Sequence, residues 1–117
     1  MLKQKKLINV LLIIFFTMFG KLYAQQQINP DILYKIVSPS GFVVDNKQST
    51  DNEAKIYLSK DKKGDEGQLW KITSRGNDYY TISNPFNNKS IDNFNISTGN
   101  GNPIIQWDDA PGNYNQH

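Results

Sequence analysis

Cysteine is absent from this sequence of 117 residues, and histidine occurs only once, as His117. The absence of cysteine excludes disulfides, which small exported domains commonly use because their apolar cores are small. It also excludes cysteine nucleophiles, and a lone histidine at position 117 argues against a Ser-His-Asp arrangement. Metal sites need clustered His, Cys or carboxylate ligands. We therefore expect no catalytic site, no cofactor and no metal.

Clustered basic residues are also lacking beyond the N-terminal segment. The sequence has 13 Lys and Arg against 11 Asp and Glu. Four of the basic residues precede position 25 and no acidic residue does, which leaves nine basic and eleven acidic residues. A nucleic-acid partner is not expected, because it would require a concentrated basic surface.

Only one long apolar run is present, at residues 7–19. Its 13 residues fall short of the ~20 that a membrane-spanning helix needs. Three lysines precede the run, and Ala24 offers a small residue for cleavage. This pattern predicts a signal peptide over residues 1–24 and a secreted protein, extracellular or periplasmic, without membrane association after cleavage. An uncleaved N-terminal anchor is the alternative.

Sustained helical periodicity is missing from the remainder. After a polar leader at residues 25–31, short apolar segments such as Tyr34-Lys35-Ile36-Val37 and Tyr79-Tyr80-Thr81-Ile82 alternate with turns rich in Gly, Pro, Asn and Asp. β-branched and aromatic residues between such turns are typical of short strands. The sequence therefore predicts an all-β domain over residues 32–117.

An internal repeat organises this domain. Five landmarks recur in the same order at spacings of 46 to 48 residues: Tyr34 and Tyr80, Pro39 and Pro85, Asp45-Asn46 and Asp92-Asn93, Ile56 and Ile104, Gln68 and Gln116. A fixed period of this length indicates stacked copies of one supersecondary unit. Repeat one spans about 32–72, and repeat two spans about 78–117.

The motifs at the ends of these repeats resemble those of a known family. Gln68-Leu69-Trp70 is a Gln-x-Trp motif, Asn115-Gln116-His117 is an incomplete copy of it, and Ile91-Asp92-Asn93 and Ile105-Gln106-Trp107 lie between them. Together they resemble the ricin B-chain (R-type) lectins, which are β-trefoils of three Gln-x-Trp units that bind sugars. About two of the three units are present. The resemblance thus implies a truncated chain, and self-association is the alternative if the chain is complete.

The resemblance also implies a carbohydrate site in repeat two, formed by Asp92, Gln106, Trp107, Asn115 and Gln116. An aromatic ring offers a flat apolar surface for the C–H face of a sugar. Carboxylate and amide groups hydrogen-bond the sugar hydroxyls.

Repeat one offers a weaker second site, formed by Asp45, Tyr57 and Gln68. Ser59 and Gly67 stand where repeat two has its tryptophan and asparagine, so the ring and the amide of the family pattern are missing.

Several of these residues also have structural interpretations. Leu69 and Trp70 are expected in the core, because they lie in an alternating strand. Gln68 and Gln116 are suited to bonding nearby backbone, and Asp followed by Asn is also suited to capping a turn. Trp107 has polar neighbours, which favours a contact role over a core role.

These observations predict a secreted carbohydrate-binding module that is not itself catalytic. Such modules are often attached to glycoside hydrolases and direct them to polysaccharide, so the full-length protein could carry a separate enzyme domain. The alternative is a trefoil scaffold that binds or inhibits a protein and has lost sugar binding.

Overall fold

A computed structural model describes residues 27–117, so the predicted signal peptide lies outside the described residues. The described part is all-β, as predicted, with short 3-10 helices in its loops. The strands are β1 (Leu33–Tyr34), β2 (Val43–Asp45), β3 (Tyr57–Ser59), β4 (Trp70–Gly76), β5 (Tyr79–Asn84), β6 (Lys89–Asn93) and β7 (Ile104–Asp108). The first, second and third 3-10 helices are Glu66–Gln68, Phe94–Ile96 and Tyr114–Gln116.

Antiparallel pairing organises the strands into two sheets. One has the order β1-β4-β5-β6-β7, and the other pairs β2 with β3. The tight β4–β5 turn is possible because Gly76, Asn77 and Asp78 all adopt positive φ angles of 50° to 85°. Gly, Asn and Asp tolerate this conformation better than other residues.

Equivalent elements recur in two units. Unit one contains β1 to β4 and the first 3-10 helix, and unit two contains β5 to β7 and the third 3-10 helix. Asp45 lies opposite Tyr57 in the first, as Asp92 lies opposite Ile105 in the second. A position in unit one can therefore be compared with its counterpart 47 or 48 residues later.

Strand β7 joins the two units. On one edge it pairs with β6, and on the other its backbone exchanges hydrogen bonds with residues 53–56 of unit one. The Glu53 N–H donates to the Gln106 carbonyl at 2.9 Å, and the Gln106 N–H donates to the Ala54 carbonyl at 2.9 Å. These bonds fix unit two against the loop that follows β2.

The apolar core is small and is supplemented by buried polar groups. Among residues 27–117 three apolar side chains, those of Val43, Trp70 and Ile105, are buried, whereas ten polar or charged ones are. Trp70 is fully buried, and its indole N–H donates to the Val44 carbonyl at 2.9 Å. Leu69 is only partly buried, so its share of the predicted core is smaller. Side-chain hydrogen bonds therefore hold together much of what apolar packing does not.

Candidate functional site

A glutamine in the third 3-10 helix fixes the carboxylate of Asp92. The Gln116 side-chain amide donates to Asp92 Oδ2 at 3.1 Å and to the Asp108 carbonyl at 3.0 Å. Its Oε1 accepts from the Ala110 N–H at 3.0 Å. Gln116 is buried, so these bonds are shielded from water. Gln116 therefore orients Asp92 and closes the loop after β7.

Unit one contains the same arrangement. Gln68 donates to Asp45 Oδ2 at 3.2 Å and to the Lys60 carbonyl at 2.9 Å, and it accepts from the Lys62 N–H at 2.9 Å. We call each of these Gln and Asp pairs a latch. In both latches the glutamine has a structural role. Any difference in ligand binding between the two units must therefore come from the residues around the latches.

Asp92 differs from Asp45 because one of its carboxylate oxygens has no hydrogen-bond donor among residues 27–117. In unit one the Lys47 N–H donates to Asp45 Oδ1 at 2.6 Å, so both oxygens of that carboxylate are used. In unit two the corresponding N–H, that of Phe94, points to the Pro103 carbonyl instead. No donor within residues 27–117 reaches Asp92 Oδ1, although Asp92 as a whole is buried, with 4% of its surface exposed. Asp92 therefore keeps an acceptor for a ligand.

Trp107 lies on the same face of the sheet as Asp92. Ser90 pairs with Trp107 and Asp92 with Ile105, and side chains two positions apart on a strand share a face. Diagonal neighbours of this kind are ~7–8 Å apart, within reach of a large ring. Trp107 is 37% exposed although it lies in the middle of a strand pair. Its ring is thus available beside the Asp92 carboxylate.

Asn115 supplies an amide next to this face. The third 3-10 helix packs against β6 and against the second 3-10 helix, which brings Asn115 close to the end of the strand that carries Asp92. The Asn113 side chain accepts from the Asn115 N–H at 3.2 Å and so caps this helix. The buried Oδ1 of Asn115 has no hydrogen-bond partner among residues 27–117. Because buried acceptors are normally paired, Asn115 retains unused binding capacity.

The structure separates Gln106 from this site. Adjacent residues in a strand point to opposite faces of the sheet, so Gln106 faces away from Trp107. The Gln106 side chain is fully buried and makes four hydrogen bonds within the protein. Its partners are Asn46 Nδ2 (3.2 Å), Asn87 Nδ2 (3.1 Å), the Ser49 carbonyl (3.0 Å) and the Asp51 carbonyl (2.8 Å). Gln106 links the two units, and its amide is not free to meet a sugar.

Asp109, which was not among the predicted site residues, belongs to the Trp107 face. Its Oδ1 accepts from the Ser90 hydroxyl at 2.7 Å, and an Arg75 guanidinium nitrogen lies 3.8 Å from the same oxygen. Ser90 is the residue directly opposite Trp107. The neighbouring Asp108 faces away and binds Lys89 Nζ at 2.7 Å. The alternation of side chains along β7 is the signal that separates these two acids.

The counterpart of the site in unit one is obstructed. Ser59 pairs with Val43 as Trp107 pairs with Ser90, so a hydroxyl stands where unit two has its ring. Tyr57 is exposed, but Lys47 Nζ lies 3.9 Å from its ring centroid. An ammonium over an aromatic face is held by the ring quadrupole and competes with a sugar for that face.

Gly67 is required at the position that Asn115 occupies in unit two. A Cβ on Gly67 would lie 2.8 Å from Asn46 Oδ1, 2.8 Å from the Gln48 N atom and 2.9 Å from Asp45 Oδ1. Such distances are shorter than van der Waals contact, so a side chain does not fit there. The folded loop after β2 therefore leaves no room for the amide that the family pattern places at this position.

Two carboxyl groups have displaced pKa values. Burial alone raises the pKa of Asp45, but hydrogen bonds from the Lys47 N–H, Gln68 and Ser59 lower it, with help from the Lys62 charge. The net result is a pKa below the ordinary value of 3.8. The hydrogen bond from Lys89 likewise holds the pKa of Asp108 below its ordinary value. Both carboxyl groups are therefore ionised at neutral pH.

Residues 27–117 contain no group of three or more His, Cys, Asp or Glu side chains placed to hold a metal ion. In that range no helix has the length and apolar character needed to cross a membrane.

Known proteins with related structures point to one fold. A designed three-fold symmetric protein, ThreeFoil, matches with a TM-score of 0.67 at 30% identity, over 72% of this chain and 60% of ThreeFoil. The exo-β-1,3-galactanase 1,3Gal43A from Clostridium thermocellum matches with a TM-score of 0.64 at 38% identity, over 71% of this chain and 18% of the enzyme. The mdaA-1 domain shares the fold with a TM-score of 0.59 at 20% identity, over 78% of this chain and 56% of that domain's chain. This chain thus spans less than two thirds of each.

Sequence comparison agrees with the structural matches. No curated protein matches the chain significantly. The family model for the ricin-type β-trefoil lectin domain matches residues 24–107, which is most of the chain. The fold is a β-trefoil, as the sequence motifs predicted, and the chain belongs to the ricin-type β-trefoil lectin domain-like family.

Proposed function

We propose that this domain binds carbohydrate without catalysis, through unit two. Asp92, Trp107 and Asn115 contact the sugar, and Gln116 acts as a positioning residue that orients Asp92. The observation that carries this proposal is that Asp92 Oδ1, which no donor among residues 27–117 reaches, lies on the same sheet face as the exposed Trp107. Asp109 is added at the rim of the site, and Gln106 is left out because its amide is fully used within the protein.

The chemistry of these groups suits a pyranose. Trp107 provides a flat apolar surface for the C–H face of the ring. Asp92 Oδ1 accepts from a sugar hydroxyl, and a hydrogen bond to a charged group contributes ~1.5–3 kcal/mol. The Asn115 oxygen takes a second hydroxyl once its side chain turns toward the ligand. A ring, a carboxylate and an amide together select a neutral polyol.

The structural match to an exo-β-1,3-galactanase supports galactose-containing glycans as the first ligands to test. The matched part makes up 18% of that enzyme, which fits a non-catalytic module attached to a larger enzyme. We further propose that the protein is exported, because the predicted signal peptide would deliver such a module to extracellular or periplasmic polysaccharide.

A glycan array followed by calorimetry tests the proposal. We expect binding to one or more neutral glycans, and we expect Trp107→Ala and Asp92→Asn each to reduce affinity at least tenfold. Tyr57→Ala is a matched control, since Tyr57 is an exposed aromatic residue on the equivalent strand of unit one. Affinity that survives both unit-two changes would overturn the assigned site.

A protein-interaction or inhibitor module is the second candidate function. The exposed apolar side chains of Val37, Phe42 and Leu58 in unit one favour it. If the folded protein binds no glycan on the array, this alternative replaces the proposal.

A further inference from the structure

A cleft lies between the two units. Its volume is about 140 Å³, and its walls come from the loop after β2, the first 3-10 helix and the turn between β5 and β6. A water molecule in the liquid takes ~30 Å³, so the cleft has room for about five waters or one small ring. Neither Asp92 nor Trp107 lines it, so it is separate from the site proposed above.

The floor of the cleft is rigid because its amides are already paired. The Asn84 side chain donates to the Glu66 carbonyl at 2.8 Å and accepts from the Phe86 N–H at 2.9 Å. The Asn87 side chain donates to the Ser49 carbonyl at 2.8 Å. A shape fixed by satisfied buried amides is preformed, and a ligand need not order it.

The rim of the cleft carries exposed side chains that are available to a ligand. Phe86 is 50% exposed, which leaves about half of its surface uncovered. The Glu66 carboxylate is exposed and forms no hydrogen bond or ion pair within residues 27–117. Thr50 also lines the cleft and is exposed. The cleft thus combines an open aromatic face with hydrogen-bonding groups that are mainly acceptors.

This set of groups defines the ligand. Within the described part of the chain no Lys, Arg or His lines the cleft, so an anion would meet the Glu66 carboxylate without compensation. A ligand rich in hydroxyl donors and with an apolar face satisfies both Glu66 and Phe86. We propose that the cleft between the units is a second carbohydrate site, which takes one neutral pyranose against Phe86 with hydroxyls donated to Glu66. The site does not depend on binding in unit two.

The test uses amide NMR spectra of the chain with both Asp92→Asn and Trp107→Ala, so that the unit-two site is disabled. Galactose and glucose are titrated as neutral rings, and galacturonate is titrated as the anionic counterpart of galactose. We expect a neutral ring to shift the Gly67 backbone and the Asn84 and Asn87 side-chain amide signals, and galacturonate to bind more weakly. Glu66→Gln should reduce the difference between galactose and galacturonate.

Loss of the Phe86 ring is the decisive change. Phe86→Ala and the more conservative Phe86→Leu should each weaken binding roughly tenfold, as expected when an aromatic contact is lost. Phe42→Ala, which removes an exposed ring of unit one outside the cleft, should leave binding unchanged. The proposal is overturned if the cleft signals do not shift in the disabled chain, or if they shift equally in Phe86→Leu. Because the two sites report through different residues, failure of one is distinguishable from failure of the other.

Discussion

Units one and two share a latch but differ in what surrounds it. In both, a buried glutamine holds an aspartate and the loop that follows the third strand of the unit, with the same three hydrogen bonds. In unit one the second oxygen of the aspartate is taken by a backbone N–H and the nearby ring is covered by Lys47. In unit two no donor of residues 27–117 reaches the second oxygen, and Trp107 is exposed. The latch therefore builds the scaffold in both units, and the proposed sugar binding depends on the groups beside it.

The same contrast appears at the tryptophans. Trp70 is fully buried and hydrogen-bonded to the backbone, whereas Trp107 is 37% exposed on the open sheet face. The first serves packing, and we propose that the second serves recognition.

Replacing Trp70 should have the largest effect on stability. We expect Trp70→Ala to reduce the free energy of unfolding by ~3–5 kcal/mol, because a large buried ring and its hydrogen bond are lost. Trp107→Ala should reduce it by less than ~1 kcal/mol and should abolish sugar binding instead. Urea unfolding followed by far-UV circular dichroism measures both. Equal losses in the two variants would contradict the separate roles.

Replacing the latch glutamines should affect both units similarly in stability. Gln68→Ala and Gln116→Ala each remove the amide donor from Oδ2 of a buried aspartate and leave a loop N–H without its acceptor, at a cost of ~1–3 kcal/mol. Only Gln116→Ala should also weaken glycan binding, because it releases Asp92. Thermal unfolding and calorimetry on the two variants check this. If Gln68→Ala alone weakens binding, the site lies in unit one.

The equivalent positions 67 and 115 should respond in opposite ways. Gly67→Ala forces a Cβ to within 2.9 Å of its neighbours, and overpacking of this kind costs ~1–3 kcal/mol. Asn115→Ala removes a buried acceptor that lacks a partner, so stability should be unchanged or slightly higher while glycan affinity falls. Differential scanning calorimetry of the two variants tests the contrast. A large destabilisation by Asn115→Ala would show that its amide is structural.

The acid sensitivity contributed by the latch of unit one should be the smallest effect. The folded state lowers the pKa of Asp45 below 3.8, so the unfolded chain binds a proton more readily. The contribution of ionised Asp45 to the stability of the fold is therefore present above pH 3.8 and is lost as the pH falls through the folded-state pKa. The urea midpoint should therefore fall as the pH decreases below 3.8, and less steeply in Asp45→Asn. An identical slope in that variant would contradict the assignment.

Local patterns in the sequence predicted the all-β fold, the period of the repeat and the burial of Trp70. Alternation in Leu69-Trp70-Lys71-Ile72 shows that one face of the strand is apolar, and the resemblance supplied the trefoil arrangement. Which residues share a face was harder to predict. Gln106 and Trp107 are adjacent in sequence and were grouped together, yet the strand register directs them to opposite sides.

Features that depend on loop geometry could not be read from the sequence. The close approach that excludes a side chain at Gly67 arises only when the loop after β2 folds over the first 3-10 helix. The stacking of Lys47 on Tyr57 likewise depends on the positive φ of 54° at Lys47. The cleft between the units requires three segments that are far apart in the chain, so no short motif marks it.

The intrinsic fluorescence of the chain distinguishes binding in unit two from binding in unit one, because Trp70 and Trp107 are its two tryptophans and Trp70 is sealed from solvent. A glycan that stacks on Trp107 must change the emission of that residue as it binds. Titration with β-1,3-linked galacto-oligosaccharide, or with the best glycan from the array, should give a saturable change that is lost in Asp92→Asn and retained in Asp45→Asn. A change that is lost in Asp45→Asn and retained in Asp92→Asn would contradict the assignment of binding to unit two.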